Sequence, residues 1–337
     1  MNMSFLYRSK KFLIPPLIIV LLGFAFFWYA TKPTGDDGAA KTVDIPSGSS
    51  LFEITEILKD AGLVHNRPFF WALVVGKGAA RNIKAGEYEF SLRLSPSEII
   101  NKLVRGERKY YNVLIPEDIN AREIAQRLMF YKLVNENDFL ELFADQSFIA
   151  SLGIRADNLE GYLFPSTYRL DRSMTTREII RMMVNKFWKE ITPDIRLQAE
   201  KRGLTIHQLL TLASIIGKES MAGSEKPLIS AVFHNRMKIG MKLQSDPTAI
   251  YGLKEDVKTV LSKHLRLDTP YNTYRIKGLP PGPIANPGID SIKAALNPAK
   301  VGYLYFVSKN DGTHYFSNDL ASHTKAVAQY RSKNRQQ

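Results

Sequence analysis

Nineteen consecutive residues without a charge, Phe12 to Ala30, impose the first constraint on this chain. At about 1.5 Å of rise per residue such a run makes a helix long enough to cross a hydrocarbon core of roughly 30 Å. Arg8, Lys10 and Lys11 precede it, whereas Lys32 and Lys41 on the far side are balanced by Asp36 and Asp37. The basic first flank predicts a cytoplasmic tail (residues 1–11), one transmembrane helix (12–30) and the bulk of the protein outside the cytoplasm. A cleaved signal peptide is the alternative. Its apolar core usually runs to about 7–15 residues, shorter than this one, and no clear small-residue cleavage site follows here. Trp28 and Tyr29 close the run, where amphipathic rings settle at the membrane surface.

Of the 337 residues, 45% are hydrophobic and 23% charged, which excludes a disordered tail or a fibre. Lysine and arginine outnumber acids 46 to 33, so a net charge of +13 favours anionic partners. Because the charge is dispersed and no P-loop-type glycine-rich segment occurs, phospholipid and acidic wall polymer fit better than nucleic acid. Cysteine is absent, and the six histidines never take the H-E-x-x-H spacing. Neither a disulfide nor a thiolate nucleophile is available, and no metal or cofactor is expected.

Two stretches match at a constant offset of 70 residues: Val43, Ile45, Pro46, Glu53, Ile54, Leu58, Leu63, Val64 and Phe69 recur as Val113, Ile115, Pro116, Glu123, Ile124, Leu128, Leu133, Val134 and Phe139. Each copy reads as a short strand ending in proline, a polar turn, an amphipathic helix and a shorter helix. Tyr88, Phe90 and Leu92 alternate as a further strand, and Ser95 followed by Pro96 opens another helix. Small α+β units of this order resemble LysM domains, which bind glycans of cell walls. A plain spacer between membrane and catalytic domain is the competing reading.

The character changes from about Asp157, where aromatic and Gly/Pro-rich loops begin. Along the helix predicted from Ile206, Leu212, Ile215, Ile216 and Glu219 fall at spacings of 3, 4 and 7 and share one face. An acid on an apolar face is desolvated, its pKa rises, and it can work as a general acid near neutral pH. Glycan cleavage demands such a group, protonated on encounter. A glutamate that reaches solvent or pairs with lysine at a helix end is the structural alternative. Asp246 and Asp268 read as Asx caps before turns, Glu160 as structural or bordering a cleft, and Glu225 as solvated. No second acid is placed at a defined distance from Glu219.

The segments Ala213 to Ser220 (ASIIGKES), Ser230 to Gly252, Tyr271 to Pro298 and Tyr303 to Val307, with Leu159 to Tyr168 upstream, closely resemble the YceG-like (MltG) endolytic murein transglycosylases. The resemblance implies an α+β protein with an N-terminal transmembrane helix, a linker (31–42), a LysM-like module with the internal repeat (43–155) and a mixed α+β catalytic domain (156–337). It implies attachment to the cell inner membrane and internal cleavage of nascent peptidoglycan strands, with peptidoglycan synthases as candidate partners. In the family motif, ASI-hydrophobic-EKE, the second glutamate is catalytic and falls on Glu219. The first is replaced by Gly217. The implied reaction uses one residue twice: Glu219 protonates the leaving oxygen, then accepts the C6 hydroxyl proton as the 1,6-anhydro ring closes. Asn235, Gln244, Asn272 and Tyr274 are candidates to hold sugar amides and hydroxyls, and Tyr271 could offer a stacking face. A hydrolytic muramidase using the same glutamate, or a non-catalytic glycan-binding scaffold, are the rival readings.

Overall fold

Helix starts in this chain are fixed by local hydrogen bonds that the sequence announces. The side chains of Ser50, Ser95, Asn120, Thr175 and Thr205 each accept the backbone N–H three residues on, while Glu53, Glu98, Glu123, Glu178 and Gln208 reach back to the capping residue. Each such box satisfies two donors that a helix start otherwise leaves without partners. The computed structural model describes residues 4–35, 38–220, 222–253, 257 and 259–333, with side chains from Leu17 to Tyr330 within those ranges.

The chain divides into two compact units. The first comprises Met1–Tyr111 and Arg169–Met174. It contains helix α1 (Ser4–Thr31), strand β1 (Ala40–Ile45), helices α2 (Leu51–Asp60) and α3 (Arg67–Gly76), strand β2 (Gly86–Ser91) and helix α4 (Pro96–Arg105). β1 and β2 run antiparallel, with Val43 opposite Tyr88. Alternation along β2 turns Tyr88 and Phe90 into a core shared with Ile45, Leu58, Phe70 and Leu103. The returning segment is tied in by charge, since Arg172 reaches the buried Glu87 at 2.8 Å and Arg108 reaches the buried Asp171 at 3.6 Å. The last turns of α1 belong to this unit: Ala30 is buried, Phe26 and Tyr29 pack on Phe69, and the Tyr29 hydroxyl donates to Asn66 O at 3.1 Å.

The expected membrane-spanning run is helical, but it needs Phe12 to Pro16, whose side chains lie outside the described residues. Among the described residues no helix is long and apolar enough to cross a membrane.

The second unit comprises Asn112–Tyr168 and Thr175–Gln337. β3 (Tyr111–Ile115), on which the chain enters it, pairs with β4 (Ser166–Leu170). Between them lie α5 (Ala121–Phe130), α6 (Glu136–Ala144) and α7 (Gln146–Ser151). Then follow α8 (Thr176–Glu190), α9 (Pro193–Lys201), α10 (Ile206–Glu219), α11 (Lys226–Lys238), α12 (Asp246–Ile250), α13 (Ile289–Leu296), the antiparallel hairpin β5 (Tyr305–Ser308) and β6 (His314–Ser317), and α14 (Leu320–Lys333). α10 is the spine of this unit. It packs on α9, α11, α12 and α13, and every residue from Leu209 to Gly217 is buried. Such all-round burial explains its mostly apolar sequence, in which the hydroxyls of Thr211 and Ser214 bond to carbonyls of the preceding turn. The fold is mixed α+β, as the sequence indicates.

The 70-residue offset appears as matched local structure. β1 ends at Ile45 and β3 at Ile115, α2 opens at Leu51 and α5 at Ala121, and the pairs Ile54 and Ile124, Leu58 and Leu128, Leu63 and Leu133 are all buried. The copies belong to different units, the first paired with β2 and the second with β4. Leu58→Ala and Leu128→Ala should each lower stability by about 2–5 kcal/mol in the unfolding transition of their own unit. Phe52→Ala, at an exposed position of α2, should change it by no more than about 0.5 kcal/mol in the same urea titration.

Candidate active site

Glu219 is the last residue of α10, with Ser220 as its C-cap. The face shared by Leu212, Ile215 and Ile216 is fully buried, Lys218 is exposed, and Glu219 is half-buried. This position is hostile to a negative charge, because carbonyl groups of the last helical turn point toward it and apolar side chains replace water. Burial pushes the Glu219 pKa from its usual 4.5 up to about 7; a hydrogen bond from Ser245 and the charge of Arg236 pull the other way, and the charge of Asp246 adds to the rise.

Two distant segments frame this carboxyl group. Ser245 Oγ donates to Glu219 Oε1 at 2.5 Å. Ser245 is itself held by Thr273, whose Oγ1 accepts from Ser245 N at 2.9 Å, and by Thr248, whose Oγ1 donates to Ser245 O at 2.6 Å. The Gln244 N–H donates to Thr273 O at 3.2 Å, and its φ of +51° places it in the left-handed region, a strained conformation for a residue other than glycine. Tyr274 closes the loop pair by donating its hydroxyl to Asp246 Oδ1 at 2.5 Å. Burial and the Asp246 carboxylate both raise the tyrosine's pKa, which keeps it a donor.

A cavity of about 500 Å³ opens on these groups. Glu219, Arg236, Gln244, Asp246 and Tyr274 line one part, and Tyr305, His314, His323 and Tyr330 of the hairpin and α14 line another. Arg236 is buried and anchors the rim, donating from Nε to Leu304 O at 2.7 Å and from Nη1 to Leu243 O at 2.6 Å. His314 Nδ1 lies 2.7 Å from Glu225 Oε2, and the backbone N–H of His314 donates to Glu225 Oε1 at 3.0 Å. No group of three or more His, Asp or Glu side chains that could hold a metal ion gathers among the described residues.

The candidates named from sequence separate clearly. Gln244 and Tyr274 line the cavity with Glu219. Asn235 and Asn272 direct their amides at backbone: Asn235 Nδ2 donates to Val301 O and Tyr303 O, both at 2.9 Å, and the fully buried Asn272 donates to Leu267 O at 2.7 Å. Tyr271 packs on Tyr251 away from the cavity lining. Asp268 is exposed. Two expectations are corrected. Asp246 makes no side-chain cap and faces the cavity, because α12 opens with Ser245 as its N-cap and turns Asp246 toward Tyr274. Glu225 is shielded rather than solvated, because the hairpin brings His314 onto it. Glu160 proves to be a structural tie: its buried carboxyl accepts from Ala121 N at 3.1 Å, the Tyr251 hydroxyl at 3.0 Å and Asn286 Nδ2 at 2.7 Å. Arg236 and Ser245 fall inside the Ser230 to Gly252 segment without any signal that singles them out as site residues, and nothing in the sequence marks His314.

The YceG-like family model matches residues 43–329, covering both units. The chain belongs to this family. An endolytic murein transglycosylase of Bacillus subtilis is 34% identical over 311 residues, which are 88% of this chain and 86% of that protein. One from Streptococcus pneumoniae is 31% identical over 325 residues, 86% of this chain and 58% of that protein. The crystal structure of a YceG-like protein from Listeria monocytogenes shares the fold with a TM-score of 0.61 at 36% identity, covering 85% of this chain and 98% of that one.

The raised pKa has a stability consequence whose sign is fixed. Between its usual 4.5 and about 7, folded Glu219 keeps a proton that the unfolded chain has lost, so its contribution is complete at low pH and disappears as pH rises through 7. The thermal midpoint of Glu219→Gln minus that of wild type should therefore increase from pH 4.5 to 8 and level off above 7. A difference independent of pH would place the titration elsewhere.

Proposed function

We propose that this protein is an endolytic murein transglycosylase in which Glu219 serves first as general acid and then as general base. The observation that carries the reading is a carboxyl group that lines a cavity with a fixed donor, Ser245, on one oxygen, and whose pKa burial pushes up to about 7. The names of the Bacillus and Streptococcus relatives support the substrate, internal glycosidic bonds of peptidoglycan.

Glu219 gives its proton to the oxygen between N-acetylmuramic acid and the next N-acetylglucosamine as the C1–O bond breaks. The resulting carboxylate then takes the proton of the C6 hydroxyl, whose oxygen bonds to C1. The glycan chain ends in 1,6-anhydro-muramic acid, no water is consumed, and Glu219 is protonated again. Proton transfer of this kind is worth about 100- to 10,000-fold, and positioning in the cavity supplies the rest. Gln244, Tyr274 and Arg236 are the groups placed to orient the sugar and its substituents.

The uncharged run and its basic flank support attachment to the inner membrane through α1, whose final turns dock into the first unit. That unit is proposed as a LysM-like wall-glycan module. In support, the turn between β1 and α2 borders a depression of about 450 Å³ lined by Pro46, Ser47, Gly48, Ser49, Glu53, Glu56 and Ile57. Peptidoglycan synthases are candidate partners at that membrane.

Asp246 favours one rival, because a second carboxylate in the same cavity is what a hydrolytic muramidase uses. The test is incubation of the purified full chain with uncrosslinked peptidoglycan and mass spectrometry of the products. Wild type should leave 1,6-anhydro ends, and Glu219→Gln should lower kcat at least about 100-fold with KM little changed. Reducing ends would make the enzyme a hydrolase. Full turnover by Glu219→Gln at an unchanged thermal midpoint would move the acid role to another residue.

A further inference from the structure

Gly217 lies in the last turn of α10, two residues before Glu219, and offers no side chain of its own. Its surface is nevertheless occupied. A Cβ built at 217 would meet the Asp118 carboxylate with Oδ1 at 1.9 Å, Cγ at 2.4 Å and Oδ2 at 2.7 Å. The whole carboxylate thus fills the volume that a side chain at 217 would take.

Asp118 reaches this place from the loop between β3 and α5 at a local cost. Its φ is +64°, in the left-handed region that favours glycine, and its Oδ1 is buried with no hydrogen-bond partner. The backbone holds the residue there: Asp118 N donates to Asn286 O, and Asn286 N donates to Ile119 O, both at 2.9 Å. Beside it, the buried Lys226 at the start of α11 donates to Glu117 Oε2 at 3.3 Å, so the loop grips both helices that flank the site. Burial pushes the Asp118 pKa up to about 6, with Lys226 and Lys218 opposing and Glu117 adding to the rise. Neither the strained backbone nor the bare oxygen helps the loop itself, so the benefit must lie where the carboxylate lands.

We propose that Asp118 is a positioning residue: it supplies from the loop the side chain that α10 lacks at Gly217, and so fixes the helical turn that aims Glu219. The proposal rests on the reading of Glu219 as the acid.

The test uses the full chain with Asp118→Gly, Gly217→Glu and the two together. Glycine suits the left-handed backbone at 118, so the first variant keeps the loop. It should lose about 10- to 100-fold in kcat with KM within about threefold, the mark of a misaimed group rather than a lost substrate contact. Gly217→Glu alone forces two carboxylates into one space and should lower both the thermal midpoint and kcat. Combining it with Asp118→Gly should restore both, kcat to within about threefold of wild type. An Asp118→Gly variant with wild-type kcat, or a double variant whose losses simply add, would overturn the proposal. The thermal-midpoint arm reads the exchange whatever reaction the wild type performs. A wild type that cleaves no glycan would therefore fail the functional reading and leave the exchange to be judged by rescue of the midpoint.

Discussion

The site depends on one electrostatic conflict, a carboxyl group placed at the carbonyl end of a buried helix. α10 is buried on every side from Leu209 to Gly217, its two polar residues Thr211 and Ser214 bonding to backbone, so it lies in the centre of the second unit, and its last residue emerges where two loops meet. Water is largely replaced there by protein, and the helix end disfavours negative charge. Ser245 offsets part of this and fixes one oxygen, while Asp246 maintains the pressure toward protonation. The same arrangement that weakens the fold at high pH readies the acid, a trade in which a functional group is kept in a state that stability alone would not select.

Around this group the polar chemistry divides between frame and cavity. Thr248, Thr273 and Asn272 are fully buried and bond mainly to backbone, locking residues 244–248 against 272–274. Gln244, Asp246 and Tyr274 alternate with them along the same two segments and face the open space. Buried residues of each segment build the frame and their neighbours are presented, which is how loops with many polar residues hold a rigid site on a helical scaffold.

The sequence made Glu219 legible because a helix face has a fixed period, and an acid at spacings of 3, 4 and 7 from buried apolar residues has few places to go. The helix starts were legible for the same local reason, through boxes such as Asn120 with Glu123 and Thr205 with Gln208. The repeat was legible as a unit, yet nothing local told that its second copy would pair with β4 and open the second unit. Contacts between distant residues stayed hidden. Ser245 lies 26 residues from Glu219 and His314 lies 89 from Glu225, so Asp246 looked like a turn cap and Glu225 like a solvated charge. Asn235 and Asn272 had the right chemistry for a sugar, but buried backbone carbonyls of neighbouring loops need donors, and these amides supply them. Gly217 was visible as a departure from the family motif; the carboxylate that covers it comes from a loop 99 residues earlier.

Glu219 can serve as the acid only if it carries a proton near neutral pH in the resting protein. The most direct test is the carbon chemical shift of the Glu219 carboxyl followed by NMR from pH 4 to 9, assigned against Glu219→Gln. The midpoint should lie near 7 and move upward in Ser245→Ala by loss of the donated hydrogen bond. A midpoint near the ordinary 4.5 would mean an ionised group lining the cavity and would contradict the acid role.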